Sequence, residues 1–114
     1  MLGVLVKQNE KPVRYEFDYE SYESFYPVLE CDTFDIVTRK FGKNYYDVYV
    51  DDEGLLLNKT PAIFTFDNDI LVEMLVGNCI ILSHDKDGNT ISLTEEQVNE
   101  ILANIRGGVL VCEL

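Results

Sequence analysis

Polar turns divide this sequence into short apolar or alternating segments, a pattern that predicts a sheet built from short strands. Val13, Tyr15 and Phe17 alternate with charged residues, which is typical of a strand with one buried face. The run Cys79–Leu82 is apolar at every position and lies between turn residues, which predicts a central strand. Further strands are predicted at Leu2–Lys7, Thr33–Thr38, Tyr45–Val50, Ala62–Phe66 and Thr90–Ser92. Residues 70–76 fit either a strand or a helical turn, and the apolar residues 55–57 precede a polar break at Pro61.

A helix near the C-terminus has the clearest start signal. Thr94 followed by Gln97 forms a capping box, and an apolar stripe with helical spacing follows at Val98, Ile101, Leu102 and Ile105. Gly107-Gly108 is expected to end this helix, and Val109–Cys112 then returns as an edge strand.

A second, shorter helix is predicted from Asp18 as N-cap to about Tyr26, where Pro27 should end or kink it. Together these elements predict an α+β fold in a single domain of residues 1–114. Its sheet is mostly antiparallel, and two short helices pack on it, both on one face, with the capped helix at the C-terminal end.

The charge balance excludes two classes of partner. Lys and Arg total 9 against 21 Asp and Glu in 114 residues, a formal net charge of -12, so direct binding to nucleic acid or to an anionic membrane is not expected. The cysteines, Cys31, Cys79 and Cys112, are odd in number and widely separated, which favours a reducing cytoplasm over a disulfide framework. No apolar run reaches the roughly 20 residues that a transmembrane helix needs.

Catalytic and metal-binding signals are weak. His84 is the only histidine, and its place beside the turn Asp85–Asn89 favours a solvated loop residue. That turn lacks the first and last ligands of a calcium loop, and the cysteines lack the short spacing of a zinc site. The sequence therefore predicts no catalytic residue, no cofactor and no metal, and a protein that is not an enzyme.

Acidic residues and tyrosines occur together in two segments. Residues 16–35 carry seven carboxylates and no Lys or Arg, and residues 47–53 carry four more. One interpretation is a solvated face over half-buried tyrosines; the other is a surface that docks a basic partner protein. The candidate surface consists of Glu16, Asp18, Tyr19, Glu20, Tyr22, Glu23, Tyr26, Asp47, Tyr49, Asp51, Asp52 and Glu53.

Three motifs in order carry a resemblance: the segment Tyr45–Gly54, then Leu75-Val-Gly-Asn78, then Ile91-Ser-Leu-Thr-Glu-Glu96. With them the chain resembles a family of small domains of unknown function from bacteriophages, plasmids and integrated elements of gut Firmicutes. The resemblance implies a cytoplasmic accessory protein of a mobile element, and it brings no catalytic residue.

Two functions are consistent with these observations. The first is a non-enzymatic protein-binding module that engages a host or element-encoded protein with a basic surface, for example by inhibiting a host nuclease or defence factor through nucleic-acid mimicry. The alternative is a protein that binds or sequesters a small ligand such as a nucleotide or signal molecule, which requires an apolar pocket with a few convergent polar groups. The oligomeric state is left open.

Overall fold

The computed structural model describes residues 1–54 and 57–114, and within them the chain forms ten strands and two short α-helices. The strands are β1 (Leu2–Val6), β2 (Val13–Glu16), β3 (Phe34–Phe41), β4 (Asn44–Asp51), β5 (Pro61–Asp67), β6 (Ile70–Val76), β7 (Cys79–His84), β8 (Thr90–Ile91), β9 (Ile105–Arg106) and β10 (Val109–Glu113). The helices are α1 (Phe25–Leu29), which follows a 3-10 turn at Tyr22–Ser24, and α2 (Glu95–Leu102). Two of the apolar residues 55–57, at positions 55 and 56, lie outside the described residues.

The strands form one mixed sheet in the order β2-β1-β7-β4-β3-β10-β5-β6, with β8 beside β7 and β9 beside β10. Its pairings are antiparallel except that of β5 with β10, which is parallel. The prediction of a mostly antiparallel sheet with two short helices is therefore confirmed, and residues 70–76 form a strand. The tight turn before that strand uses Asn68 and Asp69, whose φ values of 50° and 66° match a two-residue hairpin loop.

The central strand β7 is buried on both faces. Cys79 and Ile81 pack in one core with α2, whereas Ile80 and Leu82 pack in another core with Phe25 of α1. Successive residues of a strand point to opposite faces of the sheet, so the two helices cover opposite faces. The expectation that both helices lie on one face was wrong, because a strand that is apolar at every position needs cover on both sides.

The first helix begins later than predicted. Residues 17–20 are not helical, and the segment places Phe17 and Tyr19 beside Phe25, with ring centroids 5.8 and 5.5 Å away. Pro27 lies inside α1 and does not end it, since the N–H that proline lacks has no acceptor in the first turn of a helix. The helix ends at Glu30, whose φ of 53° is left-handed.

The C-terminal region also differs from the prediction. Thr94 caps α2 by accepting a hydrogen bond from the N–H of Gln97 at 3.1 Å, but two strands follow the helix, so it is not the C-terminal element. Gly107-Gly108 forms the turn between β9 and β10, at φ values of 59° and 81°. Strand β10 lies between β3 and β5 and is not an edge strand, because its apolar residues Leu110 and Val111 are buried.

A charged hydrogen-bond cluster joins α2 to the β3–β4 hairpin. The buried Tyr46 hydroxyl donates to Glu100 Oε1 at 2.6 Å, and the side-chain amide of Asn44 donates to the same oxygen at 2.8 Å. These donors favour the carboxylate, and the Tyr46 hydrogen bond is the main reason that the pKa of Glu100 lies below its ordinary value of 4.5.

The variant Glu100→Gln is expected to unfold more easily than the wild type at pH 7, by about 1 kcal/mol, because it loses charge-assisted hydrogen bonds. A carboxyl with a lowered pKa stabilises the fold above its unfolded-state pKa and loses this contribution as the pH falls through its folded-state pKa. The difference between variant and wild type should therefore shrink below about pH 4.5. Urea unfolding of the variant and the wild type between pH 7 and pH 4 measures this difference in stability. A difference that stays constant over this range would contradict the stabilising role assigned to the Glu100 carboxylate.

Candidate functional site

A groove of about 600 Å³ lies between the β1–β2 hairpin and α1. The strand pair and the segment that follows β2 supply one side, and the 3-10 turn and α1 supply the other. We call it the acidic groove; it is lined by Leu5, Lys7, Tyr15, Glu16, Phe17, Asp18, Glu20, Ser24, Pro27 and Val28.

A series of contacts between aromatic rings connects the two sides of the acidic groove. Tyr15 stacks on Phe17 with an interplanar angle of 13° and a centroid distance of 6.1 Å, and Phe17 in turn packs against Phe25 of α1. Phe25 is 1% exposed and stacks on Tyr49 of β4 at 4.2 Å. Because these contacts link β2, α1 and the sheet, the two sides of the groove are fixed relative to each other.

The carboxylates near the groove are largely uncompensated. Glu16, Asp18, Glu20 and Glu23 are all exposed. Arg14 lies 3.6 Å from Glu16, but its guanidinium also donates to Glu95 at 2.9 Å. Within residues 1–54 and 57–114, no ion pair involves Asp18, Glu20 or Glu23. Three carboxylates and one lysine, Lys7, line the groove, which therefore presents net negative charge next to apolar and aromatic side chains.

The predicted tyrosines occupy different environments. Tyr22 is 59% exposed and meets Tyr26 edge-on, while Tyr19 and Tyr26 are half-buried. Tyr49 is a core residue: it is 3% exposed, its hydroxyl lies 2.8 Å from Thr90 Oγ1, and burial raises its pKa. Its assignment to an exposed surface was wrong, because β4 lies inside the sheet and is covered by α1.

Two predicted surface carboxylates are also buried. Asp47 Oδ2 lies 2.7 Å from His84 Nδ1, and Asp51 Oδ2 lies 2.5 Å from Lys59 Nζ. Asp47 and Asp51 are each 7% exposed and contact side chains of this chain, so they do not belong to a docking surface. Asp52 and Glu53 are exposed in the turn after β4, but they do not line the groove.

The contact between His84 and Asp47 was missed from the sequence. His84 is the last residue of β7, not a loop residue, and about half of its side chain is exposed. Asp47 is paired with Leu82 in the β4–β7 register, and His84 lies two residues after Leu82 on the same face of β7. The side chains of Asp47 and His84 therefore lie together on the face that α1 covers. In the described part of the chain, the His84 imidazole is hydrogen-bonded to Asp47 and to no hydroxyl or thiol group that it could activate as a nucleophile.

The cysteines and acidic residues do not assemble a metal site within the described ranges. Cys79 and Cys112 are buried in the core beneath α2, and burial raises the pKa of both thiols. Among residues 1–54 and 57–114, no group of three or more His, Cys, Asp or Glu side chains could hold a metal ion. In those same ranges, neither helix has the length and apolar character needed to cross a membrane.

Comparison with known proteins places the chain in a family. Curated proteins and solved structures give no match. The family described as Domain of unknown function (DUF3846) matches residues 1–106, a span that includes the acidic groove and both helices. The chain therefore belongs to the DUF3846 family of domains of unknown function.

Proposed function

We propose that this chain is a non-enzymatic protein-binding module and that its acidic groove engages a basic surface of a partner protein. The observation that carries the proposal is the combination of carboxylates without an ion-pair partner at Asp18 and Glu20 with the half-buried aromatic ring of Tyr15 in one groove. Charge complementarity speeds encounter, and aromatic side chains supply most of the contact energy at many interfaces.

The exposed residues beside the groove support the same function. Tyr22 and Glu23 lie in the 3-10 turn whose last residue, Ser24, lines the groove, and both are exposed. Tyrosine is enriched at protein interfaces because it combines a large apolar ring with a hydroxyl. The negative charge also disfavours anionic ligands such as nucleotides, so a protein partner fits the groove better than a nucleotide does.

A narrower form of the proposal is inhibition of a nuclease or defence factor of a host cell. The carboxylates would then occupy the basic surface on which the target binds nucleic-acid phosphates. The mobile-element context that the sequence motifs imply, which is an expectation, motivates this form. A partner bound in this way would be released by duplex DNA in competition.

Reversing three charges at the groove, in the variant Glu16→Lys/Asp18→Lys/Glu20→Lys, is expected to weaken partner binding by about tenfold or more. The wild-type chain would be used to capture partners from lysate at low salt, with release at high salt, because exposed charge pairs are screened. Each captured protein would then be purified, and its affinity for wild type and variant would be measured by calorimetry.

A matched variant controls for the total change in charge. Asp67→Lys/Asp87→Lys/Glu113→Lys changes three exposed carboxylates that lie away from the groove, and we expect binding close to that of the wild type. Equal loss in both variants would mean that only net charge matters. Unchanged binding by the groove variant would exclude the groove as the site.

A further inference from the structure

We propose that the partner contributes an extended segment that pairs with the free edge of β2 and alternates apolar with basic side chains. This inference rests on the proposed function, since it names the form of the partner segment that binds beside the acidic groove. Three features of the β1–β2 hairpin carry it: its main-chain hydrogen bonding, the different character of its two faces, and its position in the sheet.

The main-chain hydrogen bonds show which groups of β2 are free. Met1 and Phe17 exchange both of their main-chain bonds, with the Phe17 N–H donating to Met1 O at 3.0 Å and the Met1 ammonium donating to Phe17 O at 2.9 Å. Hydrogen-bonded pairs alternate along an antiparallel ladder, so Tyr15 and Val13 also bond to β1. The N–H and C=O groups of Arg14 and Glu16 therefore point away from β1.

Those groups face the end of the sheet. β2 is the first strand in the sheet order, and no hydrogen bond outside the β1 ladder involves the main chain of Arg14 or Glu16 in the described part of the chain. An extended segment beside β2 can bond to them as one more strand, the mode by which many domains bind peptides.

The two faces of β2 specify which side chains the added strand should carry. On the face toward α1, Val13 is 46% exposed, and a cavity of about 230 Å³ adjoins the acidic groove. Its lining residues are Leu5, Lys7, Glu10, Lys11, Val13 and Tyr15, and the two lysines disfavour a basic side chain there. On the opposite face lie Arg14 and Glu16, with Glu95 of α2 bonded to Arg14. Two carboxylates there share a single guanidinium. Apolar residues toward Val13 and Tyr15 and basic residues toward Glu16 and Glu95 complement these faces. Asp18 and Glu20 follow β2 in the chain, so they are left for basic residues of the partner outside the added strand.

The other edge of the sheet is less suited to this role. Strand β6 also lies at an end of the sheet and exposes apolar side chains, including Ile70 at 66% and Met74 at 44%. However, its register shifts between Glu73 and Leu71, and a bulge of this kind interrupts regular pairing. Glu73 is moreover neutralised by Arg39 at 2.7 Å. Strand β2 is therefore the edge that combines a regular row of free main-chain groups with an excess of carboxylates over cations.

The test uses a capped peptide of alternating lysine and valine, titrated into the full chain while amide chemical shifts are recorded. We expect the shifts to concentrate on residues 13–17 and on Val28. Two N-methylated isomers follow, one modified at every lysine and the other at every valine. The amides of alternate residues point to opposite edges of a strand, so one isomer loses the bonds to β2 and the other keeps them. Their affinities should differ by about tenfold or more.

The outcomes separate this inference from the proposed function. Isomers of equal affinity, together with weaker binding to the groove-reversed variant, would overturn strand addition while leaving a charge-driven groove in place. Shifts centred on β6 would overturn the assignment of the edge. A free chain that is dimeric in sedimentation, with β2 protected from amide exchange, would mean that a second copy occupies this edge, and it would also overturn the inference.

Discussion

The variant Phe25→Ala is expected to lower the free energy of unfolding by about 3–5 kcal/mol. Phe25 is 1% exposed, and its ring packs against Tyr49 at 4.2 Å and Phe34 at 5.3 Å. Alanine would leave a cavity on the face of the sheet that α1 covers, and it would remove several aromatic contacts at once. Such a loss is a large part of the roughly 5–15 kcal/mol that stabilises a typical domain.

The same substitution should remove the acidic groove before the rest of the fold is lost. Helix α1 has five residues, far fewer than an isolated helix needs to be stable in water, so its position depends on packing. Ser24, Pro27 and Val28, which line one side of the groove, adjoin Phe25 in the chain. We therefore expect Phe25→Ala to lose partner binding at denaturant concentrations at which the β-sheet signal in circular dichroism is still native.

Urea unfolding of Phe25→Ala and of a neighbouring control, Tyr22→Ala, measures the effect. Tyr22 is 59% exposed, and truncating it should change stability by no more than about 0.5 kcal/mol. A loss of less than about 1 kcal/mol for Phe25→Ala would mean that the site collapses around the missing ring and that α1 is held by other contacts.

The strands were predictable because their signal is local. The turns at Asp67–Asp69 and Asp85–Asn89 and the apolar run of β7 are visible in a few consecutive residues. The position of β10 inside the sheet was not predictable, because its parallel pairing with β5 joins residues 47 positions apart, such as Thr65 and Cys112. Whether an apolar strand lies at an edge or inside a sheet depends on such distant partners, and no local pattern records them.

The candidate site was predicted only in part, because local charge indicates exposure but does not reveal contacts with distant residues. Glu16, Asp18 and Glu20 lie at the end of β2 or in the segment that follows it, where charge does indicate exposure. Asp47 and Asp51 belong to an interior strand, where each contacts a side chain that is distant in sequence: His84 for Asp47 and Lys59 for Asp51. A buried carboxylate with a distant partner has the same local sequence as a solvated one. Lys59, eight positions after Asp51, could not be assigned as that partner from spacing alone.

The second large effect is expected at the Asp51–Lys59 ion pair. The variant Lys59→Met should lower the free energy of unfolding by about 3–5 kcal/mol, because it leaves a buried carboxylate without its cation. The side chains of Asp51 and Lys59 are 1% and 15% exposed, and Lys59 Nζ also donates to the carbonyl oxygen of Glu30 at 2.7 Å. The ammonium thus joins β4 to the end of α1, and methionine retains the apolar length of the lysine but cannot make either contact.

Two further variants separate loss of charge from loss of packing. Lys86→Met changes an exposed lysine in the turn after β7 and should have an effect within about 0.5 kcal/mol. The double variant Asp51→Asn/Lys59→Met removes both charges, so it should be more stable than Lys59→Met alone, since the unpaired carboxylate is the main penalty. If the double variant were instead the less stable of the two, the Asp51 carboxylate would stabilise the fold without its cation. Asparagine keeps an oxygen that can accept the N–H of Glu53, as Asp51 Oδ1 does at 2.8 Å, so the lost stability would be assigned to the negative charge on that acceptor.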